Sequence, residues 1–385
     1  MEKVTNAIIN VGVNDYEATL FESQYMLEAG MAYNSYVILD DKVAVMDTVD
    51  SAVTEEWMKN LNDALDERSV DYVVVQHMEP DHSGSLLKLI EKFPEMKIVG
   101  NAKTFSMMGQ FFDIDIEDKK IVVAEGDTLE LGSRTLTFMM APMVHWPEVM
   151  VTYESLEKVL FSADAFGKFG TRDADEDWAC EARRYYFNIV GKYGVQVQML
   201  LKKAATLDIQ IICPLHGPVL SENLEYYIDK YNTWSSYEPE DKGIFIAHAS
   251  IHGNTAKAAE KLKEILEEAG AEKVAIADLC REDMHESVED AFRYDRLVLA
   301  ASSYDAEVFP PMAEFLHHLK AKNYQKRTVA IMENGSWAPT AARVMKAQLE
   351  GMKNIDIIEP VITIKSTMKP DNVEQMKELA KVLVK

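Results

Sequence analysis

Residues 71–90 read DYVVVQHMEPDHSGSLLKLI. The opening DYVVVQ is a near-continuous apolar run, the mark of a strand buried on both faces. From Ser83 onward, SGSLLKLIEKFP has helical spacing. Between them stand His77, Glu79, Asp81 and His82, four potential metal ligands within six residues. They cannot share one face of a helix, but a loop between strand and helix can wrap them around a pair of ions.

The same rhythm extends in both directions. AIINVGV, NSYVILD and KVAVMDTV read as strands, rich in β-branched residues and separated by polar segments. SAVTEEWMKNLNDALD reads as a helix, with Ser51 or Thr54 as its cap. LTFMMAPM, KVLFSADA and DIQIICPLHG are further strands, each ending in a polar loop. Those loops carry His145, Asp164 and His216. A single loop histidine is ordinarily a solvated side chain, and Asp81-His82 could cap the helix that follows. Yet all four histidines before residue 243 fall just past an apolar run, where strand ends converge and ligand sites form. Four imidazoles and three carboxylates suit iron, manganese or zinc, and a carboxylate can bridge two ions.

TWSSYEPEDK (233–242) breaks the periodicity and reads as a linker. Beyond it the pattern becomes a regular alternation of strand and helix, which indicates one doubly wound parallel sheet. Its first strand-to-helix loop is SIHGNT. There Gly253 permits close backbone approach, and Ser250, Asn254, Thr255 and successive N–H groups can cradle a phosphate at a helix N-terminus. The loop is neither GxxxxGKS nor GxGxxG, so an ATPase or dinucleotide site is not indicated. Two later strand ends, SSYDAEVFPP and ENGSWAPT, offer Tyr304 and Trp337, aromatic groups able to stack on a flat ring.

HMEPDH, followed in order by His145, Asp164 and His216, resembles the metallo-β-lactamase-like core of the flavodiiron proteins, and the second half resembles a flavodoxin domain. The resemblance implies an αββα sandwich over residues 1–240 and a flavodoxin-like domain over 243–385. It implies one iron on His77, Glu79 and His145, another on Asp81, His82 and His216, and Asp164 between them. The related hydrolases carry His where this chain has Glu79; a carboxylate is the harder ligand and favours ferric iron over zinc hydrolysis. Tyr193 falls where the family places an aromatic near the irons. FMN is expected against Ser250, His252, Gly253, Asn254, Thr255, Ser302, Ser303, Tyr304, Asp305, Asn334, Gly335, Ser336 and Trp337. Here the chain departs from the family, with Ser303-Tyr304 for a common Pro-Thr pair and NGSWAP for a Gly-rich turn.

The implied activity is reduction of dioxygen to water, of nitric oxide to nitrous oxide, or both. The rival readings are a metal-dependent hydrolase fused to a flavodoxin domain, and a flavin electron carrier with an inactive metal domain. The family's head-to-tail homodimer, or a dimer of dimers, is expected. The loop QYMLEAGMAY (24–33) is expected to tune the choice of gas, and it contains no histidine.

Composition sets outer limits. The 385 residues carry 64 acidic and 40 basic side chains, a net −24, which argues against nucleic acid and anionic membrane as partners. Residues 1–242 account for −21 of this and residues 243–385 for −3. Three cysteines, far apart, exclude a disulfide scaffold and a thiolate metal site, and hence a rubredoxin module within these residues. The donor is therefore expected to be a separate molecule, a rubredoxin or a reduced deazaflavin. An acidic rubredoxin would dock away from the acidic half, at Lys320, Lys322, Lys326 and Arg327. No apolar run reaches about 18 residues and no leader pattern opens the chain, so a cytoplasmic location is expected.

Overall fold

The computed structural model describes residues 1–385. It divides into two compact units: Met1–Tyr185 with Val195–Asn232, and Tyr186–Gly194 with Thr233–Lys385.

The first unit is a sandwich of two sheets. One has seven strands in the order Glu2–Lys3, Ile8–Asn10, Tyr36–Leu39, Val43–Met46, Tyr72–Val74, Lys97–Gly100, Lys120–Val122. The other has five, in chain order from Thr128–Glu130 through Thr135–Met140, Met150–Glu154 and Val159–Phe161 to Ile211–Cys213. Tyr36, Ile38, Ala44, Met46 and Val74 of one sheet share a core with Leu136, Phe138, Met150, Phe161 and Cys213 of the other. Burying these faces against each other is the main force holding the unit together. Helices Thr54–Leu65 and Ala102–Phe111 turn their buried residues to the seven-stranded sheet, against its inner strands Tyr36–Leu39 and Lys97–Gly100. The first of these is preceded by a 3₁₀ turn, Ser51–Val53, and the cap is Asp50, which accepts from the Ala52 N–H. Ser51 and Thr54 are thus displaced as caps by the residue just upstream. The expected helix from Ser83 begins earlier, as Pro80–Ser83, and resumes as Leu86–Lys92.

The second unit is a parallel sheet in the order Val274–Asp278, Asp241–Ala249, Tyr294–Tyr304, Gln325–Asn334, Lys353–Ile357. In chain order this is 2-1-3-4-5. The connections leave the first strand in opposite directions, which opens a crevice at the carboxyl ends of Asp241–Ala249 and Tyr294–Tyr304. Helices Asn254–Glu268 and Pro370–Leu383 cover one face through Leu262, Leu266, Met376 and Leu379.

Two expectations fail here. Residues 233–242 are not a linker: Trp234 and Tyr237 are buried, and the Trp234 indole N–H donates to Glu240 at 2.6 Å. Two aromatics three positions apart anchor this stretch, too few to leave a period to read. Nor do the four basic residues form a free docking face. Arg327 is buried and donates to the carbonyls of Tyr294, Tyr237 and Phe292. Lys322 donates to the Asn188 carbonyl and Lys326 to Glu238. Nearness in sequence places charges together without fixing which face they take, and a guanidinium with five donors is well suited to gathering loose carbonyls.

Candidate metal centre and flavin site

In the first unit, both sheets deliver ligands at the same kind of place. His77 follows the strand Tyr72–Val74, and Asp81 and His82 ride on the short helix Pro80–Ser83. His145 lies between Thr135–Met140 and Met150–Glu154, Asp164 follows Val159–Phe161, and His216 follows Ile211–Cys213. Asp81 caps nothing; its two buried oxygens have no hydrogen-bond partner.

The seven side chains gather into two groups. In one, Glu79 Oε2 lies 3.2 Å from His77 Nε2 and 3.1 Å from His145 Nε2. In the other, Asp81 Oδ2 lies 3.2 Å from both His82 Nε2 and His216 Nε2. Asp164 stands between them. Its Oδ2 faces His145 at 3.0 Å and His77 at 3.5 Å, while its Oδ1 faces His82 at 3.1 Å and His216 at 3.8 Å. All four imidazoles point Nε2 inward. The inward Nε2 atoms of His82 and His216, with Asp164 Oδ1, are buried without hydrogen-bond partners.

In the second unit, the crevice holds a cavity of about 550 Å³ lined by Ser250, His252, Asn254, Thr255, Ser302, Ser303, Tyr304, Asp305, Asn334, Gly335, Ser336 and Trp337. This is the size of pocket that takes a small organic cofactor. Gly253 adopts φ +83°, the left-handed conformation, immediately before the helix Asn254–Glu268. Its N–H donates to Ser250 Oγ at 3.0 Å, and the Thr255 and Ser302 hydroxyls meet at 2.9 Å. Trp337 is 93% exposed and Tyr304 45%, two rings left bare at the mouth of the cavity. Ile251, Ala306, Ala338, Thr340 and Ser366 also line it and were not anticipated.

Residues 31–217 match the model of the ODP family of beta-lactamase-like domains, and residues 245–356 match that of a flavodoxin domain. An uncharacterized protein of Methanocaldococcus jannaschii is 30% identical over 99% of this chain and 97% of its own length. The anaerobic nitric oxide reductase flavorubredoxin of Vibrio vulnificus is 29% identical over 96% of this chain and 76% of its own. The rubredoxin oxygen:oxidoreductase of Desulfovibrio gigas superposes with a TM-score of 0.91 at 26% identity, covering 99% of this chain and 97% of that one. The chain belongs to the flavodiiron family.

As a flavodiiron oxidoreductase it takes FMN and two iron ions, and both sites fit. The metal groups are already oriented. The His77 Nδ1 lies 2.8 Å from Glu148 Oε1, and the His216 Nδ1 lies 2.8 Å from the Ala32 carbonyl. A proton held on each Nδ1 leaves the Nε2 lone pair free for a metal. Glu148 also accepts from the Met78 N–H, and buried Asp47 accepts from the Gln76 and His77 N–H groups. Ala163 and Phe166, flanking Asp164, and Met143, near His145, all hold positive φ without being glycine. Such backbone strain persists only where surrounding structure enforces it, commonly at sites of function.

The local field favours positive charge. Burial pushes the His77 and His82 imidazoles down, but Asp164, Glu79 and Asp81 outweigh it and both rise above the ordinary histidine value. His145 is raised to about 9: burial again opposes, and Asp164 and Glu79 prevail. Asp164 itself is held far below the usual carboxylate range, the histidines overcoming its burial. Cations in place of those protons meet the same field.

Aromatic groups seal the flavodiiron ligand cluster. Phe21 lies edge-on to His216 at 5.3 Å, Tyr185 lies 5.5 Å from the same ring, and Trp146 stands edge-on to His77 at 5.2 Å. The Tyr185 hydroxyl is buried without a hydrogen-bond partner. Tyr193 lies in the segment Tyr186–Gly194, which groups with the second unit, its half-buried ring under the Lys192 ammonium at 5.7 Å. Glu148, Asp47 and Tyr185 left no signal in the sequence beyond nearness to a strand end.

Proposed function

We propose that this flavodiiron protein reduces dioxygen to water, nitric oxide to nitrous oxide, or both, with electrons passed through FMN from a separate donor of the rubredoxin class. The observation that carries the reading is Asp164, whose two oxygens address two different pairs of histidines. A hydrolase with one ion has no use for that arrangement. Glu79 supports it further, since a hard carboxylate beside two imidazoles suits iron cycling between ferrous and ferric states. The names of the Vibrio vulnificus and Desulfovibrio gigas relatives span both gases, and both names contain rubredoxin.

When bound, two ferrous ions and a reduced flavin supply the electrons for either reaction. The chain supplies the rest. His77, Glu79 and His145 would hold one ion and Asp81, His82 and His216 the other, with Asp164 standing between the two ligand groups. Glu148 and the Ala32 carbonyl fix the ring orientations before any ion arrives, so little reorganisation accompanies binding. Phe21, Trp146 and Tyr185 exclude water from the cluster, and the Tyr185 hydroxyl is free to donate a hydrogen bond to a bound gas. Tyr185 thereby takes the place near the irons that the resemblance assigns to Tyr193. Ser250, Asn254, Thr255 and the helix N-terminus hold the flavin phosphate, with Tyr304 and Trp337 against the ring system. A head-to-tail homodimer in the cytoplasm is the setting the family resemblance favours.

Replacing Glu79 by His tests the reading. Iron content and turnover of both gases are expected to fall by at least about tenfold, by loss of a ligand charge from the first ion. Unchanged turnover in that variant would remove the main support for iron redox chemistry.

A further inference from the structure

The loop that carries His216 is held from behind by one residue. Leaving the strand Ile211–Cys213, residues 214–217 turn inside the first unit, all of them buried, so their carbonyls need donors from the protein. Asn34, itself wholly buried, meets three of those carbonyls. Its backbone N–H donates to Leu215 at 2.8 Å. Its side-chain Nδ2 donates to Pro214 at 2.9 Å and to Gly217 at 2.8 Å, one on each side of His216. The Tyr36 hydroxyl adds a second bond to the Pro214 carbonyl at 2.7 Å. The Ala32 carbonyl, two positions before Asn34, faces His216 Nδ1.

The Asn34 amide cannot be turned round. Both Nδ2 protons go to carbonyls, while Oδ1 accepts from Asn10 Nδ2 at 3.1 Å and from Arg172 Nη1 at 2.9 Å. A flipped amide would set oxygen against two oxygens and nitrogen against two donors. Gly12 lets the chain press against this residue: a Cβ there would meet the Tyr33 carbonyl oxygen at 2.2 Å and Asn34 Cα at 2.6 Å. The half-buried Arg172 guanidinium also donates to Asn10 Oδ1 and to the Gly12 carbonyl, both at 3.3 Å. These acceptors are all uncharged, so none of them neutralises the guanidinium. A charged donor polarises the amide it binds, and that amide donates more strongly in turn.

We propose that Asn34 is the positioning residue for His216, and that Arg172, acting through it, raises the reduction potential of the ion His216 holds. The inference rests on the diiron reading above. The seated loop delivers His216 Nε2 to 3.2 Å from Asp81 Oδ2, so that ligand group is assembled before an ion arrives. A positive charge behind a ligand opposes further positive charge at the metal and favours the ferrous form. His77, in the other group, is backed instead by the Glu148 carboxylate at 2.8 Å. The two ions are thereby made unequal. Each changes by one electron, drawn from the reduced flavin, and the ion on His216 takes the first.

The test uses holoprotein loaded with Mössbauer-active iron, with chelator competition and a redox titration as readouts. Asn34→Ala is expected to hold one of its two irons about 10- to 100-fold more weakly than wild type, with the other unchanged. Both irons held as in wild type, or both weakened alike, overturns the positioning role. Should Asn34→Ala fail to fold, Asn34→Asp decides. It keeps the shape and the Arg172 contact but cannot donate to Pro214 and Gly217. Selective weakening of one iron then supports the role, and two irons held as in wild type refute it. Arg172→Gln is expected to keep both irons and to shift the higher of the two midpoint potentials downward, while Arg172→Lys restores it. Midpoints unchanged in Arg172→Gln, or lowered alike in both variants, overturn the part given to the charge. Wild-type protein that loads zinc instead of iron refutes the diiron reading itself, and this proposal falls with it.

Discussion

Single residues at the metal centre divide into those that point at the ions and those that aim them. Glu148 belongs to the second kind, holding His77 Nδ1 at 2.8 Å from a fully buried position. Glu148→Ala leaves that ring free to turn and is expected to weaken iron binding about 10- to 100-fold, read by competition with a chelator. Glu148→Gln keeps an acceptor and is expected to lose much less. The seven proposed ligands could be picked out because each stands beside a strand end and is a residue type with metal chemistry. Glu148 could not, being one of 64 acidic residues and three places from its nearest ligand in sequence.

At the scale of elements, the helix Ala102–Phe111 links stability to the site. Its cap, Asn101, accepts from the Lys103 and Thr104 N–H groups at 2.9 and 3.0 Å. The same side chain donates to the Glu148 carbonyl at 2.6 Å. Asn101→Ala is expected to cost about 1 kcal/mol for the cap alone, seen as a lowered unfolding midpoint, and to loosen iron as well through the Glu148 loop. In the second unit, Asp241 opens the first strand and meets Lys273 at 2.9 Å and Arg293 at 2.8 Å. Burial pushes its carboxyl up, but these two cations outweigh burial and hold it below the ordinary value. A depressed carboxyl stabilises the fold above the unfolded value of 3.8 and loses that contribution as pH falls through its native value. Asp241→Asn is therefore expected to cost up to about 1 kcal/mol near neutrality and nothing at low pH, giving a flatter acid limb in chemical denaturation. Strands and helices were readable here because β–α alternation has two clear periods. The stretch 233–242 was not, because Trp234 and Tyr237 bury large surfaces without repeating.

Over the whole molecule, the two chemistries are separate in the chain. Every proposed iron ligand lies within the first unit, and every residue lining the flavin cavity lies within the second. Sequence alone divides the charge the same way, −21 against −3. Iron bound among Glu79, Asp81 and Asp164 offsets part of the acidity of the first unit. The expected basic docking face did not survive, because Arg327 is spent on carbonyls inside the fold. Charge balance over a region survives folding, whereas a patch depends on which way each side chain turns.

On the reading proposed above, the chain joins a diiron site to a flavin for reduction of a small gas. The measurement that addresses it most directly is metal and flavin analysis of anaerobically purified protein, followed by addition of dioxygen and nitric oxide to the reduced form. Two irons and one FMN per chain are expected, with consumption of at least one gas and loss of turnover when either cofactor is removed. Zinc in place of iron, with both gases untouched and a thioester or phosphodiester hydrolysed instead, would contradict it.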